Sequence, residues 1–245
     1  QEHNKPPFIV VGFADDLCIL VSGLCPNTLV DLAQPVVNSI VNAGATMGLK
    51  FNEKKTEVVL FTNKTKVKNF KNLQINGVPV EYSTGAKYLG VFLDHKLTYS
   101  KHISEKINKC KKHLFALKSV IGKKWGPNPH LMRWAFIAIV RPKLTYACHL
   151  WSHKINKTIK EKLLKLNRLA CLSIAPVHKS TPTAGLEVIY NLIPLDLFVE
   201  QVALKTIKRI TNQVTPVWSG IGNNLNSRGH LFLGQKEMAQ LGIND

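Results

Sequence analysis

Two apolar runs, Phe8 to Val11 and Leu17 to Val21, are separated by a tight polar corner containing Asp15 and Asp16. That pattern predicts two buried strands of a hairpin with adjacent carboxylates at its tip. Alternation along the strands assigns Phe8, Val10, Ile19 and Val21 to the core, packed on the element that comes next. That element is a helix: Pro26-Asn27-Thr28 is a start signal, and Leu29, Leu32, Ala33, Val36, Val37, Ile40 and Val41 recur at helical spacing. Gly44 and Gly48 are expected to end it, and Pro35 to kink it. Leu49–Asn52 and Glu57–Phe61 are predicted strands around a Glu53-Lys54-Lys55-Thr56 corner, and Leu73–Ile75 and Val78–Val80 form a hairpin through Asn76-Gly77. Lys87 to Leu93 is predicted as one further strand, with Gly90 marking a close approach or a bulge.

After Asp94 the period changes to three or four. Ile103, Ile107, Cys110, Leu114, Leu117 and Ile121 define an amphipathic helix, and Pro129 starts another over His130 to Val140 that Arg141-Pro142 ends or bends. Helices are predicted over 157–174 and 185–212, and a Gly-, Asn-, Ser- and Gln-rich linker or tail over 215–245. The fold class is therefore α+β: an antiparallel sheet with a packed helix over 1–96, then helical regions at 97–154 and 155–214.

Charge changes the picture. The chain of 245 residues carries a formal net charge of +18, which points to a polyanionic partner, nucleic acid before an anionic membrane surface. Residues 1–62 hold four basic and six acidic side chains, whereas residues 63–245 hold 29 and nine. On the first basic helix eight lysines are offset by Glu105 alone, which favours phosphate contact over an ordinary solvated face; Lys106, Lys109, Lys112 and Lys118 are the candidates. Trp134, Phe136, Tyr146 and Trp151 fall in apolar surroundings and are assigned to the core, while Arg168, Lys205, Lys208 and Arg209 are expected at the surface. Five scattered cysteines suit reduced, intracellular thiols, and Cys148, His149, His153, Cys171 and His178 lack the close ligand pairs of a zinc site. A signal peptide and a membrane-spanning apolar run are both missing from the sequence, and its abrupt opening at Gln1 suggests a fragment of a longer polypeptide.

Two acids at a turn repel each other. A hard divalent cation such as Mg²⁺, taking carboxylate oxygens plus substrate phosphates, would neutralise them; a solvated turn is the plain alternative. The stretch Phe13-Ala14-Asp15-Asp16 between apolar strands resembles the aromatic-x-Asp-Asp box, motif C, of reverse transcriptases, and the residues C-terminal to it resemble the non-LTR retrotransposon branch. Asn42-Ala43-Gly44 through Gly48-Leu49-Lys50-Phe51-Asn52, with Lys55-Thr56-Glu57 and Phe61, is similar to motif D. Tyr88-Leu89-Gly90-Val91-Phe92-Leu93-Asp94 is similar to the primer grip, and Trp125-Gly126, Arg141-Pro142, Tyr146, Trp151 and Pro194-Leu195 resemble the thumb and post-thumb of jockey-like and I-like elements.

The resemblance implies a fold and a set of roles. Residues 1–96 would be the C-terminal part of a polymerase palm, 97–154 a helical thumb and 155–214 a post-thumb extension of an RNA-directed DNA polymerase. Asp15 would ligate catalytic Mg²⁺ and Asp16 contribute charge to the same two-metal site, Phe13 would lie near the primer end, and Lys55 would assist the leaving pyrophosphate. Tyr88, Leu89 and Gly90 would hold the primer strand, and the lysine-rich helix would track the backbone of an RNA template and DNA primer, with dNTPs as substrates. The motif A aspartate that completes the metal set in this family is missing upstream of Phe8, so the fragment alone is expected not to polymerise. Nor does a ribonuclease H or cysteine-histidine knuckle pattern occur after residue 215. The alternative is a non-catalytic nucleic-acid-binding module derived from such an enzyme; a membrane-surface or scaffold role for the basic helices ranks third.

Overall fold

A computed structural model of the chain describes residues 8–23, 25–62, 71–119, 128–175, 177–213 and 229–234. These fall into two compact units, the first containing residues up to Thr98 together with 216–245, the second Tyr99–Thr215. The fold is α+β, with the strands in the first unit and most of the helix in the second.

In the first unit β1 (Phe8–Phe13) and β2 (Asp16–Gly23) pair antiparallel, Phe13 opposite Asp16 and Val10 opposite Ile19. Helix α1 (Pro26–Thr46) comes next as one helix that retains Pro35 on its exposed side. It ends at Gly48, whose φ of +74° allows the Gly48 and Leu49 N–H groups to turn back onto the carbonyls of Ala45 and Gly44. Leu49–Asn52 is not a strand. The Asn52 side chain instead accepts from the Lys54 and Lys55 N–H groups and starts a 3₁₀ turn, Glu53–Lys55, a local bond that competes with extended backbone. Strand β3 (Glu57–Phe61) comes after this turn, then β4 (Leu73–Ile75) and β5 (Val78–Val80), joined by Asn76 and Gly77 at φ +52° and +79°.

The predicted single strand 87–93 is a second hairpin. Strands β6 (Gly85–Tyr88) and β7 (Val91–Asp94) turn at Leu89 and Gly90, both at positive φ, so Gly90 marks a tight turn rather than a bulge.

The main sheet has the order β1-β2-β8-β3, where β8 is Gly229–Gly234. The stretch expected to be a linker or tail therefore contributes a strand, antiparallel to both β2 and β3. Ile19, Val21 and Val58 face a core of Leu29, Val30, Ala33 and Val37 from α1 and Leu73, Ile75 and Val80 from the β4–β5 hairpin. On the opposite face Cys18, Val59 and Phe61 pack with Ala86, and Tyr88 and Leu93 cover them. Strand β2 is thus sandwiched. Edge strand β1 is not: Phe8, Ile9 and Val10 are 38, 44 and 41% exposed, contrary to the predicted burial of Phe8 and Val10.

The second unit begins with α2 (Ser100–Ser119), whose buried face is His102, Ile103, Ile107, Cys110 and Leu114. Helix α3 (Pro129–Ala135) starts on an Asn128 cap and runs through a π-helical turn, Phe136–Val140, into α4 (Arg141–Thr145). Pro142 carries no N–H, and the π turn before it absorbs the missing helical bond. Helices α5 (Cys148–Trp151) and α6 (Lys157–Ile174) come next, the latter capped by Asn156. The segment predicted as one helix over 185–212 is two, α7 (Thr183–Ile189) and α8 (Leu195–Gln213), separated at Asn191 with its φ of +48° and at Pro194. Trp151, Phe136, Leu144, Leu163, Leu166 and Leu195 are fully buried and form the centre of this bundle. No helix among the described residues is long and apolar enough to cross a membrane.

Candidate functional site

The β1–β2 turn displays its polar residues at one end of the sheet. Phe13 is 63% exposed, Ala14 takes a φ of +51° that costs an L-residue about 1–2 kcal/mol, Asp15 is exposed in the turn, and Asp16 is the half-buried first residue of β2. Six other non-glycine residues share this backbone region, so the strain fits a tight turn and does not by itself mark a function.

Residues far apart in sequence converge on this end. Burial pushes the Tyr88 hydroxyl above its usual pKa, and the nearby Cys18 thiol and Asp16 carboxylate add to the shift, so the β6–β7 hairpin lies within electrostatic reach of Asp16. Cys18 and Glu57 are both opposite Gly234, and β2 and β3 point the same way. Glu57 therefore starts β3 at the same end of the sheet as Cys18, two strand spacings or about 10 Å across, and the 3₁₀ turn that contains Lys55 leads into it. Gly44 and Phe51 also meet: a methyl group on buried Gly44 would overlap the Phe51 ring, a steric reason for that pairing.

The carboxylates are of the right kind for a hard cation but too few. Among the described residues no group of three or more His, Cys, Asp or Glu side chains could hold a metal ion, so these residues do not complete a metal centre.

The second unit carries 21 basic and five acidic side chains, a net of +16, against 12 and ten in the first. At 3.6 residues per turn, or about 100° per residue, Lys106, Lys109 and Lys112 drift around one side of α2 while Lys118 lies on the opposite flank of its buried stripe. The four candidates therefore do not share one face. On the flank holding Lys106, its ammonium sits 4.5 Å above the centre of the Tyr146 ring, and Lys143 Nζ lies 3.1 Å from His113 Nε2.

The aromatic and arginine expectations are met only in part. Phe136 and Trp151 are core, but Trp134 is 62% and Tyr146 48% exposed, because each lies on the outward side of its helix end. Arg168 is not a free surface cation: it donates to the Thr181 carbonyl and the Thr183 hydroxyl at 3.1 and 2.6 Å, and to the Lys179 carbonyl. Arg133 and Arg141 likewise serve the carbonyls of Tyr190, Asn191 and Ile193, with the Arg141 guanidinium 4.2 Å from the Phe198 ring centre.

Comparison with known proteins finds relatives over most of the chain. The chain is 23% identical over 193 residues to a retrovirus-related Pol polyprotein from type-1 retrotransposable element R1 of Nasonia vitripennis, covering 77% of this chain and 57% of that protein. It is 29% identical over 168 residues to a probable RNA-directed DNA polymerase from transposon X-element of Drosophila melanogaster, 67% of this chain and 18% of that protein. It is 23% identical over 174 residues to the RNA-directed DNA polymerase from mobile element jockey of Drosophila funebris, 71% of this chain and 19% of that protein. The chain is homologous to non-LTR retrotransposon polymerases.

The chain spans 57% of the length of the R1 relative and less than a fifth of the other two. No family model matches it, and no solved structure does. Sequence reasoning missed strand β8 of the homologue, although Leu231, Phe232 and Leu233 between Gly229 and Gly234 are a short apolar run bounded by turn residues. It also missed the contact between Lys106 and the Tyr146 ring. The signal there was the basic residues flanking the aromatic, Lys143 in sequence and Lys106 one helix away.

Proposed function

We propose that this chain is the part of a non-LTR retrotransposon RNA-directed DNA polymerase that carries the palm carboxylate pair, the primer-grip hairpin and the nucleic-acid-binding thumb. The Phe13-Ala14-Asp15-Asp16 turn at one end of the main sheet, Tyr88 of the β6–β7 hairpin packed against the same sheet near Asp16, and the turn holding Lys55 leading into β3 together support this reading. Motifs separated by more than 70 residues meet there, as a site for a primer end and an incoming nucleotide requires.

In this reading the first unit is the palm, Asp15 and Asp16 supply part of a carboxylate set for Mg²⁺, and that set needs at least one more acid than the described residues bring to the tip. Phe13 and the turn at Leu89 and Gly90 contact the primer end, and Lys55 approaches the pyrophosphate. The second unit is the thumb and its extension. Its net charge of +16 binds the backbone of an RNA template and DNA primer without reading sequence.

The shortfall of carboxylates favours one other reading, a module that binds nucleic acid without catalysis. Both readings require binding, and a fluorescence anisotropy salt series with a labelled RNA–DNA hybrid tests that shared requirement. Affinity is expected to fall steeply with salt, by roughly 0.9 log unit per log unit of salt for each phosphate neutralised, and equally for unrelated sequences. Salt-independent or absent binding would refute both.

A further inference from the structure

Helix α1 turns one face toward the β4–β5 hairpin, and a cleft of about 440 Å³ opens there, lined by Gln34, Asn38, Val41, Asn42, Gln74, Asn76 and Gly77. Five of these seven residues are carboxamides and none is charged. Gln34, Asn38 and Asn42 recur every four residues, about 6 Å apart along the helix axis, so they stand in one row. The volume falls within the ~300–1,000 Å³ range of small-ligand sites.

Hydrogen bonds set the direction of these amides. Gln34 Oε1 accepts from the Gln74 N–H at 2.9 Å and Gln34 Nε2 donates to the Gln74 carbonyl at 2.8 Å, so backbone groups fix which way this amide points. The same Nε2 donates to Asn38 Oδ1 at 2.8 Å, which leaves the Asn38 NH₂ as a donor. Asn76 Nδ2 donates to Glu53 Oε1 at 2.7 Å, a bond that holds the Glu53 carboxyl below its usual range and leaves Asn76 Oδ1 as an acceptor. Two ligand classes do not fit. The lining holds no cation to neutralise a phosphate. A peptide strand has no place on the hairpin either: Gln34 already holds both backbone groups of Gln74 on one edge, and Pro79, opposite Gln74, has no N–H to offer on the other.

What fits is a neutral, rigid, planar edge carrying a donor beside an acceptor, the pattern adenine presents at N6 and N7. Unpaired bases splay out of a strand and are read on such edges. We propose that the cleft between α1 and the β4–β5 hairpin binds an unpaired nucleobase, adenine before uracil, with Asn38 donating and Asn76 accepting. Uracil, whose exocyclic groups are both carbonyls, sets an acceptor against Asn76 Oδ1. This rests on the nucleic-acid reading above and adds to it a base preference that backbone contacts cannot supply. Gln34 is a positioning residue, because it acts through Asn38.

The test is anisotropy of labelled single-stranded oligo(rA) and oligo(rU) of equal length across a salt series with the full chain, wild type against N38D and N76G. The first variant keeps the acceptor for Gln34 and loses the donor, and the second removes the carboxamide while glycine adopts the positive φ of that turn position. The wild type is expected to bind oligo(rA) about five- to tenfold tighter than oligo(rU). In both variants that ratio is expected to fall to about one, with the salt slope for oligo(rU) as in the wild type. A wild-type ratio of about one, or a ratio that both variants keep, overturns the base site and leaves the nucleic-acid reading standing. A ratio kept in one variant alone overturns the role of the residue replaced in it. A wild-type chain that binds neither oligonucleotide at low salt overturns both the base site and the reading beneath it.

Discussion

Truncating Ile19 and Val10, which face each other across β1 and β2, should have very different consequences. Ile19 is 4% exposed in a core with Val21, Leu29, Ala33, Val37 and Val58, whereas Val10 is 41% exposed on the sheet edge. Ile19→Ala removes three buried carbons, worth about 2.4 kcal/mol at ~0.8 kcal/mol each, and the cavity left between α1 and the sheet raises the cost to about 3–4 kcal/mol. Val10→Ala removes two methyl groups that water already reaches and leaves no enclosed cavity, so its cost should stay below about 1 kcal/mol. Hydrogen exchange of the β2 amides across a urea series reports the first unit alone, and the two variants should separate by at least about 2 kcal/mol there. Equal costs, or a loss below about 1 kcal/mol for Ile19→Ala, would refute the sandwiched placement of β2.

Gly85→Ala should destabilise the β6–β7 hairpin by about 1–3 kcal/mol, since a Cβ there would lie 2.6 Å from the Leu93 carbonyl oxygen and 2.7 Å from Phe92; an unchanged thermal midpoint would contradict that packing. Burial pushes the thiols of Cys18 up to about 12 and of Cys110 and Cys171 to about 11, and raises Cys148 as well, whereas Cys25 is exposed. A disulfide reagent at pH 8 should therefore label one thiol rapidly in the native chain and five in denaturant, and two or more rapid thiols would contradict the burial.

Features fixed by neighbours in sequence were legible from the chain alone. The Asn76-Gly77 turn, the α1 stripe, the boundaries of α6 and the change of period after Asp94 all derive from local pattern. What depended on distant partners was not. Alternation shows that Val10 prefers burial, but not that β1 is an edge strand with no neighbour on its outer side among the described residues. The Asn52 side-chain bonds outweighed the strand pattern of 49–52, and β8 finds its place only because β2 and β3 leave a gap between them. At the candidate site the carboxylate pair was visible as sequence. That Tyr88 comes near Asp16, and that Arg168 is held by backbone carbonyls rather than presented to a ligand, required the packed chain.

Asp15 and Asp16 belong, in the function proposed above, to a polymerase centre that the described residues do not complete. Primer extension on an RNA template with Mg²⁺ and dNTPs tests that most directly, using residues 1–245, the same chain joined to the N-terminal part of the R1 relative, and that longer chain with Asp15→Ala. Extension is expected from the longer chain only, and is lost when Asp15 is replaced. Robust extension by residues 1–245, or extension by the longer chain that survives Asp15→Ala, would contradict it.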